Sequence, residues 1–440
     1  MSTLKDYKKS IQDYINNNKD KAIKLLKQLV QEDSISGNES KAQAIVVEKL
    51  RELELDLDIW EPAIDELKDH PYFISARENF NGSPNIVATL KGTSGGKSMI
   101  LNGHIDVVPE GNIQQWTYPP YGAIVKDNKL YGRGATDMKG GNVALILAIE
   151  AIKQSGISLK GDVHFQSVIE EESGGAGTLA AILRGYKADG VIIPEPTNMK
   201  FFIKQQGSMW FRLKVKGKVA HGGTRYEGVS AIEKSLLVIQ QIQKLEQLRN
   251  GRIDDPLYDG VPIPIPINIG TINGGTWPSS VSDLVTLEGR YGVAPNEKME
   301  DAKKEFERWI ENLGNLDEWF LDHPVEVEWF GARWVPGTVE ADSELVQTLQ
   351  QNYLETMKQN PVVEAAPWGT DGGLFTQILN IPMIVFGPGE TKVAHYPDEF
   401  IDLDQMFLAA EIIACTLIDW CGVEGQQHEG EGAYENEKVL

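Results

Sequence analysis

"SMILNGHIDVVPEG", residues 98–111, starts as an apolar run and ends by setting His104 and Asp106 two positions apart. Strand side chains alternate between faces, so positions i and i+2 point the same way, and an imidazole and a carboxylate here stand side by side. The run itself has the texture of a strand covered on both faces. That texture recurs in "NIVATL" (85–90), "DVHFQSVI" (162–169) and "GVIIPE" (190–195), with "LDLDIW" (55–60) a further strand. Helix-period stretches fall around them, "KAIKLLKQLVQ" and "NESKAQAIVVEKLREL" before and "NVALILAIEAI" between. Near-continuous apolar strands separated by helices predict an α/β fold whose mainly parallel sheet lies between helices. Function then belongs at the carboxyl ends of those strands.

Beyond Gln206 the pattern changes. "WFRLKVKG", a helix at "SAIEKSLLVIQQIQKLEQL", "INIGTING", "VSDLVTLEGRYGV", a second helix near "KMEDAKKEFERWIENL" and "VEVEWF" follow one another in the order β-α-β-β-α-β. This predicts an inserted ferredoxin-like α+β unit over residues 207–331, with residues 1–206 and 332–440 forming the catalytic body. The Pro-interrupted "DDPLYDGVPIPIPIN" reads as an irregular loop of the insert.

A chain of 440 residues is long for one core and suggests two domains. Its net charge of −22 argues against nucleic acid and anionic membrane surfaces as partners. Only two cysteines, Cys415 and Cys421, are present, too few for a disulfide framework. With no apolar run of ~18 residues and no leader-like start, a reducing cytoplasm is the expected setting. The tail "GQQHEGEGAYENEKVL" reads as weakly ordered, with His428 functionally silent.

Four further polar positions fall where apolar strands stop or loops begin: Asp137 in "GRGATDMKGG", the run Glu170-Glu171-Glu172, Glu195 after "GVIIP", and His395 in "VAHYPDEF". Singly, each has a plain structural reading, as a helix cap, a solvated loop, a surface acid or a loop histidine. Together they place nitrogen and oxygen donors, and no sulfur, at the sheet end where ligands bind. Such a set suits two divalent cations sharing one carboxylate, zinc first among them. Asp137 would bridge, His104 and Glu195 would complete one cation, and Glu172 and His395 the other. Asp106 would accept the second imidazole N–H of His104 and fix its tautomer.

"GHIDVVPEG", "LYGRGATDMKGG", "EEESGGAGT", "IIPEPT", "VKGKVAHGG" and "VAHYPDEF", in this order over some 300 residues, resemble the acetylornithine deacetylase and succinyl-diaminopimelate desuccinylase family of dinuclear zinc hydrolases, which also holds aminoacylases and glutamate carboxypeptidases. The resemblance implies two Zn²⁺, with Co²⁺ or Mn²⁺ as substitutes, on His104, Asp137, Glu172, Glu195 and His395. It implies Asp106 as the histidine partner and Glu171 as general base. Where the family has Asp-Glu-Glu this chain has Glu-Glu-Glu, and a register shifted by one would exchange the base and ligand roles. His221 resembles a histidine that crosses a dimer to donate to the developing oxyanion, which makes the insert a lid and homodimer surface. Arg290 matches an arginine that binds a substrate carboxylate, and Gly369 and Thr370 a substrate-lining loop. A family asparagine is replaced within "TWPSSVSD" by Ser279 or Ser280.

The expected activity is removal of the acyl group from an N-acyl amino acid or related small amine, N-acetylornithine being the nearest named case. A di- or carboxypeptidase, or a deformylase or deacylase of a non-amino-acid amine, are the alternatives on this scaffold. A binding protein that has lost its chemistry would usually lack a ligand or the base, and neither is missing here.

Overall fold

The computed structural model describes residues 3–425; the tail with His428 lies outside them. Sixteen strands occur among the described residues. The first eight are β1 (Asp56–Trp60), β2 (Asn85–Leu90), β3 (Met99–His104), β4 (Ile124–Lys126), β5 (Lys129–Tyr131), β6 (Val163–Val168), β7 (Val191–Ile193) and β8 (Phe201–Gln205). The others are β9 (Gly207–Lys216), β10 (Ile267–Gly274), β11 (Leu284–Val293), β12 (Glu326–Trp334), β13 (Gly337–Thr338), β14 (Val363–Ala366), β15 (Met383–Val385) and β16 (Phe400–Asp402).

The larger sheet has the order β1-β2-β6-β3-β7-β15-β8-β13, with β14 also paired to β8. Its middle, β6-β3-β7-β15, is parallel. Its margins turn antiparallel, at β1-β2-β6 on one side and at β15-β8-β13 on the other. All of β3 is buried, whereas β1 at the sheet's edge has no buried residue, with Asp56 and Ile59 exposed. The helices Gly140–Gln154 and Leu403–Cys421 cover the sheet and are buried along most of their length, because Val, Ile, Leu and Ala occupy nearly every turn. Cys415 and Cys421 lie in the second of these, buried and unpaired. No described helix is long and apolar enough to cross a membrane.

The second sheet, β10-β11-β9-β12, is antiparallel throughout and is backed by the helices Ala231–Asn250 and Met299–Glu311. Phe211, Leu213, Leu287, Tyr291 and Phe306 build its own core. The β-α-β-β-α-β order and strand order are those of a ferredoxin-like unit. Its last strand does not stop at residue 331: β12 continues to Trp334, with its pairing to β9 interrupted between Phe330 and Arg333. Past that irregularity Arg333 and Trp334 resume pairing with Met209 and Ser208, and their side chains donate to the carbonyls of Pro71 and Phe73 and to Glu171. A third sheet, β16-β5-β4, anchors the loops that hold Asp137 and His395.

Candidate metal and catalytic site

His104 ends β3, Glu171 and Glu172 follow β6, Glu195 follows β7 and His395 lies ten residues beyond β15. All four strands belong to the parallel middle of the sheet, so their carboxyl ends converge on one place. Asp137 reaches the same place from the segment between β5 and the helix Gly140–Gln154, next to a cis Asp137–Met138 peptide.

Asp137 stands between the two histidines. Its Oδ1 is 3.2 Å from Nε2 of His104 and its Oδ2 is 3.2 Å from Nε2 of His395. On the His104 side Glu195 Oε1 lies 3.7 Å from the same Nε2. On the His395 side Glu172 Oε1 lies 3.2 Å from Nε2. Donor atoms of His104, Glu171 and Glu195 lie within 4.8 Å of one another, as do those of His104, Asp137 and Glu172.

Five carboxylates against two imidazoles is an excess of negative charge with little water to screen it. Burial and then the neighbouring acids Glu195, Asp371 and Glu172 push the Glu171 carboxyl well above the usual carboxylate range. Burial likewise raises Glu195 to about 7, against the pull of His104. For His395 the charge of Glu172 and the contact with Asp137 outweigh desolvation and raise the imidazole to about 11. Glu195 Oε1 is fully buried and has no hydrogen-bond partner. An orphaned carboxylate oxygen beside a second acid and an imidazole nitrogen is a donor set that fits a divalent cation.

Asp106 behaves differently from expectation. Nδ1 of His104 is held by the main-chain carbonyl of Asp106 at 2.8 Å, while the carboxylate is 3.7 Å away. β3 ends at His104, so the i, i+2 alignment is lost one step later. The carboxylate instead accepts the backbone N–H groups of Glu171 (3.3 Å) and Glu172 (3.1 Å). The Asp106 residue still orients the histidine, through its backbone, and its side chain fixes the loop that carries Glu171 and Glu172.

Glu170 is turned out of the site. With φ of 64°, its side chain accepts from Ser36 Oγ (2.5 Å), Ser75 Oγ (3.0 Å) and Arg77 (3.2 Å). The first acid of the triple run is thus structural, and Glu171 and Glu172 are the two that face His104. A second brace lies under Asp137. Glu399 Oε1 accepts the backbone N–H groups of Thr136 (2.9 Å) and Asp137 (3.2 Å), and its Oε2 pairs with Arg133 at 2.6 Å. Arg133 also donates to the carbonyl of His395 at 3.3 Å, so one buried ion pair ties both loops together. Arg133→Met should therefore cost about 3–5 kcal/mol of stability, because it strands a buried carboxylate; urea unfolding of the apo protein measures this. A loss under ~1 kcal/mol would mean that Glu399 does not depend on the pair.

The acids and His395 open into a cavity of about 680 Å³, whose wall includes Arg290, Gly369 and Thr370. Arg290 on β11 is half-buried and pairs across the sheet with Trp210. Burial pushes its guanidinium down to about 10, and among the described residues it has no ion pair or hydrogen bond. Although Arg290 lies on a strand, it forms no cross-strand salt bridge with a described residue. The Thr370 hydroxyl donates to Gln205 Oε1 (2.6 Å) and accepts from Gly372 N–H (3.0 Å), so it braces the loop. Asp371 does not cap the following turn; it accepts from Thr178 at 2.6 Å.

His221 is not brought into this cavity. It is exposed on the small unit, bridged to Ser280, with Nδ1 accepting from Gly223 N–H at 3.1 Å. Ser279 is beside it, its carbonyl accepting from Gly222. Three tryptophans not singled out from the sequence, Trp210, Trp334 and Trp368, do line the cavity. Trp334 Nε1 donates to the carbonyl of Glu171 (3.0 Å) and to its Oε1 (3.2 Å). Two of them carry a signal in their position, Trp334 at the end of β12 ("ARWVPG") and Trp368 before a loop glycine ("PWGTDGG"), whereas Trp210 lies inside β9.

The family model described as peptidase family M20/M25/M40 matches residues 100–419. The chain is 29% identical over 443 residues to the N-formyl-4-amino-5-aminomethyl-2-methylpyrimidine deformylase of Bacillus subtilis, covering 95% of this chain and 99% of that protein. It is 30% identical over 351 residues to the "Probable succinyl-diaminopimelate desuccinylase" of Staphylococcus epidermidis, covering 74% and 83%. Among solved structures, the di-peptidase Dug1p from Saccharomyces cerevisiae superposes with a TM-score of 0.74 at 14% identity, covering 94% of this chain and 98% of that one, a likeness of fold.

Proposed function

The chain belongs to peptidase family M20/M25/M40, and from that membership we propose that it is a metal-dependent deacylase, splitting the amide of one small N-acyl amine held beside Glu171. That it is a hydrolase of amides follows from the family and the relatives. The observation that carries the finer reading is Asp137 set 3.2 Å from each of two histidines, with a buried Glu171 next to them in a cavity the size of one small molecule. Deacylation is preferred to dipeptide cleavage because the two relatives above are named for removing a formyl and a succinyl group.

His104, Glu195 and Asp137 would hold one cation, and Glu172, His395 and the other oxygen of Asp137 the second. Two zinc ions, or cobalt or manganese in their place, would supply an acidified water and a Lewis acid at neutral pH. Glu171 takes a proton from the attacking water as its oxygen bonds to the carbonyl carbon, and returns that proton to the amine nitrogen as the C–N bond breaks. Trp334 N–H keeps the carboxylate aimed at that spot. Arg290, whose guanidinium has no protein partner among the described residues, would donate to a carboxylate or another lone-pair group of the substrate.

The experiment is a screen of zinc-loaded protein against N-formyl, N-acetyl and N-succinyl amines and simple dipeptides, read as free amine released. Acylated amines should be cleaved in preference. Preferential cleavage of dipeptides would overturn the reading in favour of a peptidase.

A second copy of the chain is the proposed partner of the small unit. β10 is an edge strand, and Ile272 on it is exposed near Trp277 and, on the neighbouring helix, Ile232 and Leu236. An apolar open edge is a template for pairing. His221 would then act on the site of the opposite protomer. Mixing inactive His221→Ala with inactive Glu171→Gln protein should restore part of the activity. No recovery after proven subunit exchange would remove the action in trans.

A further inference from the structure

We propose that Trp334 links substrate selection to placement of the base: its ring, with Trp210 and Trp368, receives a flat aromatic group on the amine half of the substrate, while its N–H holds Glu171. This rests on the deacylase reading and narrows its substrate class.

The three indoles come from separate parts of the chain, β9, the end of β12 and the turn after β14, yet line one cavity. Trp210 and Trp334 have ring centroids 6.5 Å apart at 52°. Trp334 and Trp368 are half-buried, and Trp210 is 37% exposed. So much accessible aromatic surface around a polar centre is unusual unless something apolar covers it.

The backbone is shaped to keep these rings where they are. The interruption in β12 places Gly331 at φ 63°, and a Cβ there would lie 2.6 Å from Cε3 of Trp210. A Cβ on Gly369 would lie 2.7 Å from Cβ of Trp334. Gly369, expected to touch substrate, is required at least as much by the seating of Trp334. Because the same indole donates to both the carbonyl and the carboxylate of Glu171, any substrate ring that packs on it presses on the base's only side-chain hydrogen-bond donor found among the described residues. An aliphatic amine such as ornithine would leave this wall uncovered.

The test uses zinc-loaded protein with N-formylbenzylamine and N-formylbutylamine, together with binding of the product amines, benzylamine and butylamine, followed by calorimetry. Wild type should favour the benzyl amide by about 10-fold or more in kcat/KM, the scale that one well-packed aromatic contact supports. Trp334→Leu should erase that preference through KM. Trp334→Phe, which keeps a ring and removes the N–H, should retain the preference and lower kcat for both amides by a similar factor.

Equal kcat/KM for the two amides in wild type, or an unchanged kcat in Trp334→Phe, would overturn the proposal. If neither amide is cleaved, the deacylase reading is decided by the wider acyl-amine screen, and the ring site is judged by binding alone. Benzylamine held more tightly than butylamine, with the difference lost in Trp334→Leu, sustains it; equal binding overturns it.

Discussion

Glu171→Gln is expected to lower kcat by about 10²- to 10⁴-fold while the protein still takes up its cations. The glutamine keeps the size of the side chain and can still accept from the Trp334 N–H, so the loop between β6 and the helix Ala176–Leu183 should not move. What it cannot do is accept a proton. The comparison variant is Glu172→Gln, which removes charge from the oxygen 3.2 Å from His395 and should weaken one cation. If Glu171→Gln loses a cation and Glu172→Gln keeps both, the two residues exchange roles. Metal content and single-turnover rates on the same preparations distinguish these outcomes.

The other large effect is expected from Asp137→Ala, which should lose both cations together and fall below detectable turnover. Among the described residues, only Asp137 sets one oxygen beside each of His104 and His395, so neither half of the site is complete without it. Glu195→Ala should by contrast weaken the His104 half alone, since Glu195 approaches no other histidine among the described residues. Selective loss is the informative result. If both variants lose both cations, or far-ultraviolet circular dichroism shows that Asp137→Ala has unfolded, the bridging role does not follow. The buried surroundings make tight binding plausible on charge grounds, because cations relieve the repulsion among Asp106, Asp137, Glu171, Glu172 and Glu195.

Most of the large sheet was legible because its strands are apolar on both faces, and the polar residues that interrupt them mark the strand ends. His104, Asp137, Glu172, Glu195 and His395 could be picked out for that reason, and the structure brings all five to one place. Details set by tertiary register were not legible. Asp106 was expected to use its carboxylate on His104, but the strand stops there and the carbonyl does it instead. The resemblance put Glu171 and Glu172 at the site with the register open by one; what turns Glu170 away is its contact with Arg77, some 90 residues earlier in the chain, and with Ser36 and Ser75. Trp334 belongs to a strand that alternation alone would have carried on in register, and the irregularity between Phe330 and Arg333 re-aims it. Parallel pairing was expected for the sheet at large and holds for its middle, while the half-exposed β1 and the short β13 pair antiparallel.

The central claim, two cations sharing Asp137 beside Glu171, is tested most directly by anomalous X-ray diffraction at the zinc edge from crystals grown with zinc. Two anomalous peaks are expected, one between Asp137, His104 and Glu195 and one between Asp137, His395 and Glu172. A single peak, or zinc bound away from Asp137, would contradict it.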